Sequence, residues 1–170
     1  MILWINGAFG VGKTQTALLL RERIADSFLF DPEEIGGALR RTVPHADDFQ
    51  DIPLWRSFTC QTLRQIVRDN PTTTFIVPMT LVNRRYHDEI VGKLCEDGIP
   101  VLHFTLMASS QTIRERLLQR GDGSESWSAR QVACCTNALS APEFALHLDT
   151  ETRSAVQIAD EIVCRAMSFS

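Results

Sequence analysis

Apolar residues along the chain fall into short blocks, separated by stretches in which they recur every three or four positions. The block Ile2 to Ile5 is too short for a helix and reads as a buried strand. A glycine-rich turn follows, then a helical stretch from Lys13 to about Ala25 whose expected buried face is Leu18, Leu19 and Ile24. Ser27 to Phe30 reads as a second strand, ending at Asp31. Pro32 stands where the first turn of a helix accepts proline, and Ile35, Ala38 and Leu39 continue at helical spacing. Thr42 to Pro53 is loop-like, and a further helix is expected from Leu54 to Arg68, broken by Asp69, Asn70 and Pro71.

The second half repeats the alternation. Thr72 to Thr80 reads as a third strand centred on Phe75, Ile76 and Val77. Asn83 caps a helix carrying Tyr86, Ile90 and Leu94, which Gly98 ends. Val101 to Met107 is the fourth strand, and Ser109 or Ser110 starts a helix with Ile113 and Leu117 that stops in the segment Gly121 to Ser126. Ser128 with Gln131 reads as the capping box of a helix through Leu139, Phe144 to Leu148 as the fifth strand, and Ser154 with Gln157 as the cap of a last helix. Parallel strands need helical crossovers, so the order points to a three-layer α/β/α domain with a five-stranded parallel sheet, a single domain over residues 1–170. The segment 32–71 is too long for one crossover helix. It is expected to be a helical insertion on the substrate side, over the sheet's carboxyl edge, where open α/β sheets bind ligands.

Charge and composition narrow the partners. Lys and Arg number 17 against 21 Asp and Glu, a formal charge of −4, so no basic field draws the protein to nucleic acid. The five cysteines lack any Cys-x-x-Cys spacing and read as buried, reduced thiols of a cytoplasmic protein. Met1 to Gly12 is apolar but carries no basic n-region and is broken by Asn6 and three glycines, so a signal peptide is not expected. No apolar run approaches the roughly 18 residues of a membrane span.

The most specific signal is Gly7-Ala8-Phe9-Gly10-Val11-Gly12-Lys13-Thr14, which fits G-x-x-x-x-G-K-[ST] with a strand before it and a helix after it. Backbone N–H groups of such a loop and the positive helix end bind phosphate, with contacts expected to continue through Gln15. Lys13 is expected to reach the β- and γ-phosphates, and the Thr14 hydroxyl to join the shell of Mg²⁺. A chance glycine-rich turn is the bland alternative, and motif and context both stand against it.

Further candidates cluster around that loop. Asp31, a carboxylate at the end of a strand, suits a group that accepts a substrate hydroxyl's proton or holds Mg²⁺ through water; it also suits a helix cap, and the two roles can coexist. The third strand ends Ile76-Val77-Pro78-Met79-Thr80 without an acid, which shifts the metal to Thr14, Asp31, water and the nucleotide. Arg114, Arg116 and Arg120 follow the fourth strand; Arg116 and Arg120 share a helix face and can clamp a γ-phosphoryl, within a lid-like segment 114–128, or else pair with Glu115 on a solvated face. From the insertion, Arg40, Phe49, Trp55 and Arg56 are the expected contacts of a polar substrate with a flat ring, although Trp55 also reads as core. His45, His87, His103 and His147 show no metal-ligand spacing.

With these residues in place the sequence resembles the ATP-binding tunicamycin-resistance protein family, itself similar to small-molecule kinases with a nucleoside-monophosphate-kinase-like fold. The likeness spans nearly the whole chain. Beyond the phosphate loop it is carried by Asp31-Pro32-Glu33, Ala38-Leu39-Arg40, Asp48-Phe49-Gln50, Pro53-Leu54-Trp55-Arg56, Ile76-Val77-Pro78-Met79-Thr80 and His103 to Ser109. The resemblance implies a P-loop kinase fold with strand order 2-3-1-4-5, ATP with Mg²⁺, and resistance to tunicamycin, an antibiotic containing uridine and several sugars. Family members can continue into a basic amphipathic tail linked to membranes; this sequence stops at Ser170, so membrane association is not expected. Two functions stay open: an ATP-dependent phosphotransferase acting on the antibiotic or a related nucleoside or sugar, with Lys13, Asp31, Arg116 and Arg120 catalytic, and an ATP-gated binding protein that sequesters the drug unmodified.

Overall fold

In the computed structural model, which describes residues 1–44 and 47–169, five parallel strands form one sheet in the order β2-β3-β1-β4-β5. They are β1 (Ile2–Gly7), β2 (Ser27–Leu29), β3 (Thr74–Pro78), β4 (Val101–Met107) and β5 (His147–Asp149). The helices are α1 (Lys13–Arg23), α2 (Pro32–Arg40), α3 (Pro53–Asp69), α4 (Arg84–His87), α5 (Lys93–Glu96), α6 (Ser110–Gln119), α7 (Trp127–Leu139) and α8 (Ala155–Phe169). The central strand β1 pairs on both sides, Ile2 lying opposite Phe75 of β3 and Val101 of β4. This is the α/β kinase-like order that the resemblance implies. His45 lies outside the described residues.

The pleat explains why the central strands are apolar throughout. Leu3, Ile5, Ile76, Phe104 and Leu106 point to one face, against α1, α6, α7 and α8. Ile2, Trp4, Phe75 and Val77 point to the other, against α3 and the helical stretch around Ile90 and Leu94. A parallel sheet covered on both faces has no wet side and so loses the alternation of a half-buried strand. The segment 32–71 divides accordingly: α3 serves as a layer helix, its Trp55, Cys60, Leu63 and Val67 buried in the core. A 3₁₀ turn at Phe49–Asp51 packs with α2 beside it.

Several local expectations are corrected. The buried face of α1 is Thr16, Ala17 and Leu20, whereas Leu18 is 40% exposed and Leu19 and Ile24 are half-buried. The three consecutive leucines leave the helix phase open, and the start after Gly12 sets it. Helix α7 begins two residues before the expected box: the Ser126 hydroxyl, not that of Ser128, accepts from Ala129 N–H at 3.2 Å. The strand expected over Phe144 to Leu148 shortens to β5, because Pro142–Phe144 closes a 3₁₀ turn whose Phe144 carbonyl accepts from the Thr105 hydroxyl at 2.6 Å. Between α4 and α5 the helix widens into a π segment, Asp88–Gly92, which the spacing of Tyr86, Ile90 and Leu94 does not betray. Of the free thiols only Cys60 and Cys135 are buried; Cys95, Cys134 and Cys164 are exposed. Among the described residues no helix is long and apolar enough to cross a membrane.

One buried polar side chain fixes the end of β1 where the site begins. Asn6, fully buried, donates to Leu81 O at 2.9 Å and accepts from Gly7 N–H at 2.8 Å and Leu81 N–H at 2.9 Å. It thereby ties the chain after β3 to the first residue of the glycine-rich loop.

Candidate functional site

The turn from β1 into α1 requires glycine. Gly7 has φ +146°, and a Cβ there would lie 2.6 Å from Val11 Cγ1 and 2.9 Å from Leu106 O. Helix α1 then starts at Gly12 with no side-chain cap and no acid in its first turn, so its N-terminal amides and positive dipole end stay open toward the loop. Lys13 folds back over this turn, its Nζ donating to Gly7 O at 2.9 Å and Ala8 O at 3.0 Å, 5.4 Å above the Phe9 ring. Burial lowers its pKa from 10.5 to about 8; the Glu33 charge pulls it back up and Arg120 pushes it further down. A desolvated ammonium beside unsatisfied helix amides is matched by an anion, and phosphate fits that demand.

Among the cavities along the carboxyl edge of the sheet, three adjoin the glycine-rich loop or share walls with one another. The first, about 660 Å³, is bounded by Lys13, Thr14, Glu33, Arg116, Arg120 and Trp127, with Gly10, Gly12 and Gln15 on its loop side. The second, about 520 Å³, shares Phe9, Glu33 and Trp127 with the first and adds Arg40, Asp47, Asp48, Phe49 and Gln50. The third, about 320 Å³, shares Gly12, Gln15 and Arg116 with the first and is closed by Thr150, Arg153 and Ser154. Common walls join the three into one groove with the phosphate loop at its middle.

The predicted residues are distributed unevenly over this groove. Asp31 caps α2, its Oδ1 accepting from Glu33 N–H at 2.9 Å. The carboxylate that walls both the first and second cavities is Glu33, one turn edge further on. Burial raises the Glu33 pKa, with the neighbouring Asp31 charge next in weight and Asp48 adding to it, while Lys13 opposes them. Arg116 is held in place by Thr150, donating to its carbonyl at 2.6 Å and its hydroxyl at 3.1 Å. Arg120 pairs with Asp122 at 2.5 Å. Where β3 ends without an acid, the Thr80 hydroxyl donates to Gly7 O at 2.9 Å. Among the described residues no three His, Cys, Asp or Glu side chains cluster as metal ligands.

Arg40 and Phe49 line the second cavity, but Trp55 and Arg56 do not. Trp55 has 0% exposure and donates from Nε1 to Pro32 O at 3.0 Å, because it heads the apolar stripe of α3. Arg56 is 5% exposed, donating to Gln50 O at 2.5 Å and to Glu89 at 2.5 Å with its guanidinium 4.1 Å from the Tyr86 ring. Both support the cavity from behind: the Phe49 ring packs 5.1 Å from Trp55 and so closely on Gly36 that any Cβ there would enter it. Glu33 and Trp127 line both the first and second cavities although no motif in the sequence gives either a role. Glu33 is legible as the first-turn acid of the helix that Asp31 caps; Trp127 falls within the segment 114–128, where its spacing singles out no chemistry.

The chain matches the AAA domain family over residues 2–142. It is similar to the tunicamycin resistance protein of Deinococcus radiodurans, with 36% identity, coverage of 97% of this chain and 94% of that one, and a TM-score of 0.82. At lower identity the fold is shared with a gluconokinase from Sinorhizobium meliloti (15%, covering 98% and 95%, TM-score 0.65). It is shared likewise with shikimate kinase from Acinetobacter baumannii (15%, covering 99% and 94%, TM-score 0.60). No curated protein sequence matches the chain.

Proposed function

The chain belongs to the AAA domain family and to the family of the Deinococcus tunicamycin resistance protein, and from that premise we propose that it is an ATP-dependent phosphotransferase acting on tunicamycin or a related nucleoside or sugar. The observation that carries the reading is Glu33, a carboxylate common to the Lys13 cavity and the aromatic cavity beside it. An acceptor hydroxyl in the second cavity would meet a base whose pKa is already raised, facing the cationic wall of the first.

The roles follow from position. The loop 7–15 and Lys13 bind the triphosphate, and the cavity between Arg116 and Arg153 accommodates the nucleoside end. Glu33 takes the hydroxyl proton as the oxygen forms its bond to the γ-phosphorus and the bond to the departing ADP oxygen breaks. Lys13, Arg116 and Arg120 stabilise the charge on the transferring group. Mg²⁺, when bound, offsets charge on the β- and γ-phosphates; Thr14 and, through water, Asp31 are the residues to hold it. Asp31 also acts through Glu33, since its charge helps to keep that carboxyl basic. The exposed thiols Cys95, Cys134 and Cys164 accord with a reducing, cytoplasmic compartment.

The test is mass spectrometry of tunicamycin incubated with protein, ATP and Mg²⁺, where the expected product is heavier by one phosphoryl group. The second reading, ATP-gated sequestration, is favoured by the acid-free end of β3, where Thr80 bonds the loop instead. Tight drug binding that depends on ATP, with the drug's mass unchanged, would establish it.

A further inference from the structure

The second cavity has a charge balance that bears on what can enter it. Among the described residues, three carboxylates, Glu33, Asp47 and Asp48, and one cation, Arg40, stand around its 520 Å³. Its apolar surface is aromatic: Phe49, wedged between Gly36 and Trp55, and the edge-to-face pair of Phe9 and Trp127. Asp48 is fixed by Gln50 N–H on Oδ1 at 2.9 Å, and Gln50 by the Thr80 carbonyl at 3.1 Å, so the polar wall is braced rather than loose. Carboxylates accept hydrogen bonds from hydroxyls and repel anions, while ring faces stack on flat rings.

We infer that this cavity selects an uncharged, hydroxyl-bearing molecule with a flat ring and rejects the same molecule once it carries a phosphate. Identifying the occupant as the acceptor rests on the phosphotransferase reading; the charge selection does not require turnover. With nucleotide in the loop the cations of the first cavity, Lys13, Arg116 and Arg120, face its phosphates, and among the described residues lining the second cavity Arg40 stands against three carboxylates. A neutral acceptor satisfies the acids through its hydroxyls, whereas a phosphate brings two further negative charges against them. The wall that admits the acceptor therefore also favours departure of its phosphorylated product.

The experiment uses protein saturated with Mg²⁺ and a non-hydrolysable ATP analogue, which keeps phosphate probes out of the loop. Uridine and uridine 5′-monophosphate, which differ only by the phosphate, are titrated calorimetrically. Uridine is expected to bind at least about tenfold more tightly. Asp48→Asn should narrow that ratio, and Arg40→Ala, which removes the cavity's cation, should widen it. Equal or tighter binding of the monophosphate, a ratio indifferent to both substitutions, or failure of uridine to bind overturns the inference. Phosphoryl transfer to the antibiotic without this selectivity would leave the proposed function standing alone; selectivity without transfer would leave the inference standing and remove the enzyme.

Discussion

Phe9, inside the phosphate loop, and Trp127, the first residue of α7, meet edge to face with ring centroids 4.9 Å apart and planes at 69°. The contact joins the glycine-rich turn to the segment that follows Arg120, and Trp127 walls the first two cavities while 50% of its surface remains exposed. Occupation of the loop is therefore expected to reach a ring that reports on its surroundings.

Trp127 should carry the fluorescence response to ligands. Trp4 and Trp55 are fully buried and line none of the three cavities, so ATP with Mg²⁺ should alter emission in the parent and leave it nearly unaltered in Trp127→Phe. An undiminished response in that variant would move the reporter to a buried ring and separate Trp127 from the site.

Lys13→Met should uncouple stability from nucleotide. A ligand at about 100 times its dissociation constant adds about 2.7 kcal/mol to the folded state, seen as a rise in Tm, and the variant should lose most of that rise. Without nucleotide the variant should be no less stable than the parent at pH 7. The folded Lys13 pKa of about 8 lies below its ordinary 10.5, so the unfolded chain binds more protons between these values and parental stability rises with pH across that window. The variant should lack this rise in thermal melts.

Arg56→Ala should act on folding rather than on a ligand. It strands the Gln50 carbonyl and removes a partner of Glu89, a loss of about 2–4 kcal/mol. Urea unfolding measures the loss, and under conditions where the variant stays folded its affinity for uridine should lie near the parent's. A selective loss of ligand affinity at full stability would return Arg56 to the cavity wall.

Asn6→Ala should loosen the loop from beneath. The side chain satisfies Gly7 N–H, Leu81 N–H and the Leu81 carbonyl, all buried, and unpaired groups of this kind cost about 1–3 kcal/mol each. We expect a drop of at least about 2 kcal/mol in unfolding free energy and faster hydrogen exchange at Gly7 than at mid-strand Leu3.

The sequence carried the layers and the loop but not the inward or outward aim of single side chains. Apolar blocks and the G-x-x-x-x-G-K-T spacing are local signals, and both survive into β1, β3, β4 and the Gly7 turn. Whether Trp55 faces the cavity or the core depends on how α3 rotates against Ile2 and Trp4, distant in sequence, and α3 turns the tryptophan inward. Glu33 was hidden by its neighbour: Asp31 ends the strand, yet capping occupies one of its oxygens, and the next acid along the helix reaches the groove. The start of α7 moved for a similar reason, since Ser126 and Ser128 both suit a cap and only packing chooses between them.

Glu33 and Asp31 can be told apart by their pH profiles. Glu33→Gln keeps the side chain's size but removes the base, so turnover should fall by roughly 10² to 10⁴ while ATP affinity changes little. The raised Glu33 pKa means that the native state holds its proton longer than the unfolded chain does, so stability falls as pH rises between the unfolded and folded values. Above that window the penalty is complete, and Glu33→Gln should therefore be at least as stable as the parent at neutral pH, which separates lost chemistry from a damaged fold. Asp31→Asn behaves differently. Asn still caps α2, keeping stability within about 1 kcal/mol, but the like charge that raises Glu33 is gone. The Glu33 pKa should fall, and the acidic limb of kcat against pH should move to lower pH, with a smaller loss of turnover than in Glu33→Gln. Phosphoryl transfer measured across pH in both variants decides the assignment: an unshifted limb in Asp31→Asn, or turnover abolished there and retained in Glu33→Gln, would make Asp31 the base.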